Sequence, residues 1–140
     1  MGETKFVDGE DLKRFTTQVF AGLGMPSADA ATEAEVLVWA NLRGVDSHGV
    51  TRLESYQSAI DSGAMNVRPE IRVISERAGA IFIEGDNAMG PVVTSFAVDR
   101  VAEKARAAGV GWGLIRNTTH QGAMGYYVER LALQGLAGIA

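Results

Sequence analysis

His48 and His120 are the two imidazoles of a 140-residue chain that contains no cysteine, so side chains that change charge near neutral pH are few. His48 lies in Asp46-Ser47-His48-Gly49-Val50-Thr51-Arg52-Leu53-Glu54-Ser55-Tyr56. Arg52 and Tyr56 follow it at successive four-residue steps, and a helix from about Gly49 would put both side chains on one face. A titratable ring, a guanidinium and a phenol would then converge. Arg52 is suited to a substrate carboxylate because its fork is planar and permanently charged. The competing reading makes His48 a helix cap and Arg52 a solvated ion-pairing partner of Glu54. His120 lies in Asn117-Thr118-Thr119-His120-Gln121-Gly122-Ala123-Met124-Gly125-Tyr126-Tyr127, a polar, glycine-flanked loop between a strand-like and a helix-like run. Loops leaving strand ends are where α/β folds place ligands, and an imidazole there can serve as general acid or base. A strand-end histidine bonded to a neighbouring carbonyl accounts for the position equally well. Gly122 and Gly125 either admit a cofactor closely or start a tight turn.

Other chemistries fit less well. Neither histidine has a second ligand at helical spacing and there is no thiolate, so no metal site is expected, Asp46 notwithstanding. Ser47 with His48 or His120 and Asp46 or Asp86 could spell a hydrolase, but Ser47 lacks the Gly-x-Ser-x-Gly elbow that would expose it. Gly109-Val110-Gly111-Trp112-Gly113 falls inside a strand pattern instead of opening a helix, so a Rossmann dinucleotide site is not supported. The net charge of -4 and scattered basic residues argue against nucleic acid as partner. No window approaches the apolar length of a membrane span, and the start at Met1 shows no leader pattern. The absence of cysteine fits a reducing compartment, with the cytoplasm as the default location.

The elements that must position these residues follow from periodicity. A first helix begins after Asp8 as N-cap, carries Leu12, Phe15, Val19 and Phe20 on one stripe, and stops at Gly22 and Gly24. A second, more uniformly apolar helix is capped by Ser27 and ends near Arg43-Gly44. A third runs from about Gly49 to about Asp61. The period then changes to that of strands, with 71–74 and 80–83 flanking a turn as a hairpin. Gly90-Pro91 opens the longest helix, up to Gly109, and residues 110–115 form a strand leading into the His120 loop. Residues 124–133 are helical again, and the apolar run 135–140 reads as the opening of another strand. Trp39 and Phe96 read as core. The fold class is therefore mixed α/β: a helical unit over residues 1–66, then the start of an α/β domain with at least partly parallel strands over 67–140. A strand beginning at the last residues would leave an unpaired edge, which suggests truncation.

Four words in order, Ala34-Glu35-Val36-Leu37-Val38, Asp46-Ser47-His48-Gly49-Val50 with Arg52 and Tyr56, Asp86-Asn87-Ala88-Met89-Gly90, and His120-Gln121-Gly122-Ala123 with Tyr127, carry a resemblance. From about Val7 onward the chain resembles the malate/L-lactate dehydrogenase family, whose members include ureidoglycolate, sulfolactate and ketimine-type reductases and which does not use the Rossmann fold. The resemblance implies an oxidoreductase that uses NAD or NADP to interconvert a 2-hydroxy acid and its 2-oxo acid, or a related imino acid. It implies that residues 67–140 are the first, incomplete part of a non-Rossmann cofactor-binding domain. Carried over, His120 is the acid/base, Arg52 holds the substrate carboxylate with Tyr56 as a further contact, and His48 with Ser47 lines the pocket. In the ketimine-reducing branch the His48 and Ser47 pair would be proton donor and relay. The loop from His120 through Gly122 to Met124 would meet the cofactor. A homodimer is implied for the full-length form, and small-molecule acids as its substrates. Family chains are well over twice as long, so a catalytically inactive fragment acting only as a binding or assembly module is the alternative.

Overall fold

The computed structural model describes residues 6–140; residues 1–5, where no leader pattern is read, lie outside the described residues. Asp8 caps helix α1 (Gly9–Gly22) as expected, its side chain accepting from the Glu10 and Asp11 N–H groups. Phe20 is buried, but Thr16 takes the inward position expected of Phe15, which is 57% exposed. Helix α2 (Ser27–Leu42) starts at its expected cap instead of after it: Pro26 is the extended N-cap, Ser27 is already helical, and no side chain caps the start. Gly44, at φ +71°, turns the chain out of α2.

The third helix is shorter than the spacing suggests. Residues Asp46–His48 and Val50–Arg52 form two 3-10 turns, and helix α3 spans Leu53–Asp61. Side chains divert the backbone here. Asn41 Oδ1 accepts from the Val50 N–H at 2.8 Å, and Thr51 Oγ1 donates to the Asp46 carbonyl at 2.6 Å, bonds that compete with regular helix.

Strands β1 (Arg72–Arg77) and β2 (Ala80–Ala88) form the expected antiparallel hairpin, both longer than read, with only Ala78-Gly79 between them. Helix α4 (Gly90–Ala108) crosses over to β3 (Trp112–Thr118), which pairs with β2 in parallel. The sheet order is β1-β2-β3. Helix α5 (Gly125–Ala132) follows the His120 loop. The strand expected over 135–140 does not form. Gly135 takes φ +75°, and the Leu136 N–H returns to the Leu131 carbonyl, so the chain folds back along α5.

Phe20, Leu37, Tyr56, Met65 and Met89 are the heart of one apolar cluster; Ile81, Ile83, Val93 and Ala97 fill a second beneath the sheet. Val36, Val98, Tyr126 and Tyr127 join α2, α4 and α5 in a third. Each large side chain so buried contributes about 1.5–3 kcal/mol. Phe96 is half-buried against the second cluster. Trp39 is half-buried too, its indole N–H donating to Glu129 while Arg43 stacks 4.0 Å above its ring. Among the described residues no helix is long and apolar enough to cross a membrane.

Candidate active site

The 3-10 turn Asp46–His48 and the loop after β3 deliver the two distant histidines to one place. The rings of His48 and His120 lie 5.3 Å apart, centroid to centroid, tilted by 34°. Tyr56, buried on α3, brings its hydroxyl to 2.6 Å from His120 Nδ1. The same nitrogen accepts from the Gly122 N–H at 3.3 Å. A backbone amide can only donate, so Nδ1 carries a lone pair and the ring proton resides on Nε2. Tyr56 must then be the donor of its bond, and burial holds its phenol protonated well above the ordinary value. The His120 ring is kept neutral as well: desolvation, then the charges of Arg52 and His48, lower its proton affinity.

Convergence thus comes from tertiary docking, not from one helical face. Arg52 Nε donates to the Ser47 carbonyl at 2.6 Å, which orients the guanidinium. No carboxylate pairs with it among the described residues, and Glu54 is not its partner. Ser47 Oγ lies 2.9 Å from His48 Nδ1. The third member of a hydrolytic triad is missing: Asp46 accepts from Asn41, and Asp86 accepts from Asn66 and the Glu70 N–H. Among the described residues no three His, Cys, Asp or Glu side chains gather to hold a metal.

Asn41 orders the His48 loop, and its spacing did not reveal it. Its amide donates to Asp46 at 2.6 Å and accepts from Val50, and Gly49 is required beside it because a Cβ there would overlap the Asn41 amide. The only signal was an amide at the end of α2.

The His120 loop rests on a polar shelf at the end of β2. Asp86, Asn87 and Asn117 all adopt left-handed backbone, at φ 53°, 52° and 50°. Glu84, 7% exposed, ties Asp86 to Asn117, accepting from the Asn117 side chain at 2.8 Å, the Asp86 N–H at 3.1 Å and Arg116 Nε at 2.6 Å. Those donors hold its carboxyl down at about 2. Thr119 then ties the loop to the Ala88 carbonyl through both its N–H and its hydroxyl. Gly90 completes the support, since a Cβ there would fall on the His120 carbonyl oxygen. Asp86-Asn87-Ala88-Met89-Gly90 is the seat of His120.

From α5, Tyr127 donates to the Gln121 carbonyl at 2.6 Å and pins the loop from the other side. Gly122 is buried at φ +73°, and a Cβ on it would press on Val36 Cγ1 of α2. Its lack of a side chain therefore serves the loop's packing, while its N–H serves His120. Met124 is half-buried just before α5.

The chain is similar to proteins of known activity over nearly its whole length. Residues 7–140 match the family model described as malate/L-lactate dehydrogenase. The malate dehydrogenase of Pyrococcus abyssi is 40% identical over 131 residues, which cover 94% of this chain and 36% of that protein. The L-sulfolactate dehydrogenase of Methanocaldococcus jannaschii is 36% identical over 93% of this chain and 38% of its own length. The solved structure of malate dehydrogenase from Pyrococcus horikoshii OT3 superposes with a TM-score of 0.88 at 39% identity, covering 96% of this chain and 41% of that one. The chain thus spans less than two fifths of the length of these curated relatives.

Proposed function

Because the chain belongs to the malate/L-lactate dehydrogenase family, we propose that it is the N-terminal part of an NAD- or NADP-dependent oxidoreductase that interconverts a 2-hydroxy acid and its 2-oxo acid. The observation that carries this reading is the His120 ring, whose Nδ1 accepts from Tyr56 and Gly122, in the field of an Arg52 guanidinium that pairs with no carboxylate among the described residues. A cation without a counter-ion and a neutral imidazole suit an anionic substrate whose hydroxyl proton must move.

In this reading Arg52 binds the substrate carboxylate, with Tyr56 a further contact close by. His48 and Ser47 line the pocket beside the reacting carbon. The residues present also fit a nicotinamide: the His120 ring edge is exposed, and Met124 is half-buried on the same loop. The His120, Gly122 and Met124 segment would hold that cofactor, which supplies the hydride acceptor or donor. In the reductive direction His120 Nε2–H donates to the 2-oxo oxygen and releases its proton as that oxygen gains charge. Tyr56, bonded to Nδ1 at 2.6 Å, keeps its own proton, so the donating ring is one that has first taken a second proton from solvent at the exposed His120, and it is left neutral once Nε2 has given its proton up.

Residues 67–140 are read as the first part of the cofactor domain and residues 1–66 as the helical unit that brings the Ser47-His48-Gly49 segment. A homodimeric full-length form in the cytoplasm goes with the same family reading.

The test is His120→Ala in the full-length protein, assayed with NADH and NADPH against a panel of 2-oxo acids. Turnover should fall by about 10²–10⁴-fold with the fold unchanged by circular dichroism. Near-normal turnover would overturn the assignment.

The outer edge of β3 favours a second reading for the 140-residue chain by itself, a catalytically inactive binding or assembly module. That edge has no strand beside it among the described residues, and Trp112 and Leu114 on it are 59% and 53% exposed. Turnover by the isolated chain would remove this second reading.

A further inference from the structure

Glu33 is fully shut off from solvent in the middle of α2, and neither of its carboxyl oxygens has a hydrogen-bond partner. Its place on the helix says what it faces. Ala30 and Leu37, three residues before and four after it, pack in the cluster that holds Tyr56. Val36, three residues after it, packs in the cluster that holds Tyr127. This face of α2 is therefore turned towards the clusters of both tyrosines whose hydroxyls reach the His120 loop, Tyr56 at His120 Nδ1 and Tyr127 at the Gln121 carbonyl. Both phenols lie within its field.

An isolated buried carboxyl without a donor costs stability and cannot readily ionise. Burial accordingly pushes Glu33 well above the ordinary carboxylate range, so it holds its proton. An apolar side chain would serve the core better there, and nothing in the packing calls for an acid. The titratable groups that its charge would reach are Tyr56 from α3 and Tyr127 from α5; the other buried hydroxyls without a partner, Thr16 of α1 and Thr94 and Ser95 of α4, do not titrate. His120 in turn is faced by Tyr56, Arg52 and His48.

We propose that Glu33 is a positioning residue for His120: a buried, proton-carrying carboxyl whose ionisation acts through the Tyr56 hydroxyl on the proton affinity of His120 Nδ1. Loss of its proton places a negative charge behind Tyr56, strengthens that phenol's hold on its own proton and favours the protonated imidazole beyond it. The inference rests on His120 as the proton carrier of the proposed reaction and adds an internal acid to it.

The test is nitrogen-15 NMR of the 140-residue chain with labelled histidine, in which only His48 and His120 contribute ring signals. The unsubstituted protein should show two pH steps at His120, its own protonation and a second step as Glu33 ionises. In E33Q and in E33M, which fills the site with an apolar chain of similar length, the second step should disappear while the first remains. Tyr56→Phe should attenuate the second step by removing the connecting hydroxyl. Superimposable His120 curves in the parent and both Glu33 variants, or a second step that survives in them, would overturn the proposal. The measurement reads the ring proton and not turnover, so its outcome is separate from that of His120→Ala in the full-length enzyme.

Discussion

Two buried glutamates, one in β2 and one on α2, are handled in opposite ways. Glu84, at the end of β2, accepts from Asn117, the Asp86 N–H and Arg116, and its carboxyl is held at about 2. Glu33, on α2, has no donor among the described residues and is driven the other way by desolvation. Depth alone does not set the acidity of a buried carboxyl; the supply of donors decides whether it is a charged strut or a neutral acid. Around Glu84 a complete set of partners makes a rigid seat. Around Glu33 their absence leaves a group that can still exchange a proton.

Glu84→Ala should be the most damaging of the substitutions that probe this contrast. It removes the acceptor for Asn117, Arg116 and the Asp86 N–H, and with it the support for two left-handed residues, Asp86 and Asn117. A fall of several degrees in the thermal midpoint is expected, read by circular dichroism. The same side chain gives an acid signature. Its folded-state value lies below the ordinary 4.5, so the stability it contributes is complete above that pH and is lost as pH falls through about 2. A Glu84 variant whose midpoint and acid dependence match the parent would show that the shelf does not depend on the carboxylate.

Gly90→Ala comes next. The new methyl group would meet the His120 carbonyl and Gln121 Cα, displacing the loop at a cost of about 1–3 kcal/mol in denaturant unfolding. The His120 ring resonances should move with it. Unmoved resonances would mean that the loop does not take its position from the start of α4.

E33Q should have the smallest effect on stability, within about 1 kcal/mol at mildly acidic pH, because it exchanges one unpaired neutral polar group for another. The sign of its pH dependence is opposite to that of Glu84. Glu33 keeps its proton in the folded state above the ordinary 4.5 but loses it when unfolded, so the parent loses stability as pH rises and E33Q gains on it. A stability difference that stays flat with pH would indicate that Glu33 is ionised in the fold.

The chemical residues were legible because their types are rare and their setting is local: two histidines, an arginine on the helical step, and glycine-flanked loops. The hairpin and the parallel crossover also followed from changes of period. What the sequence concealed depends on contacts made at a distance. Thr16 replaces Phe15 in the core because of how α1 meets α2, and the 3-10 turns at Asp46–His48 and Val50–Arg52 arise from Asn41, outside the segment. The apolar run 135–140 has strand composition, but Gly135 turns it back along α5. Glu33 escaped notice because a charged residue in a helix ordinarily marks its wet face. The clue was there in Ala30 and Leu37, which share its face and are both fully buried.

The 2.6 Å bond between Tyr56 and His120 joins residues 64 positions apart. Closing a loop of that length is entropically costly and precedes any gain from the contact. The local hairpin and helices can therefore form before the helical half docks on the sheet, and only docking brings the Tyr56 hydroxyl to the His120 ring. A nascent or partly unfolded chain then has both residues but not the bond between them, so the arrangement is completed as one of the last events of folding.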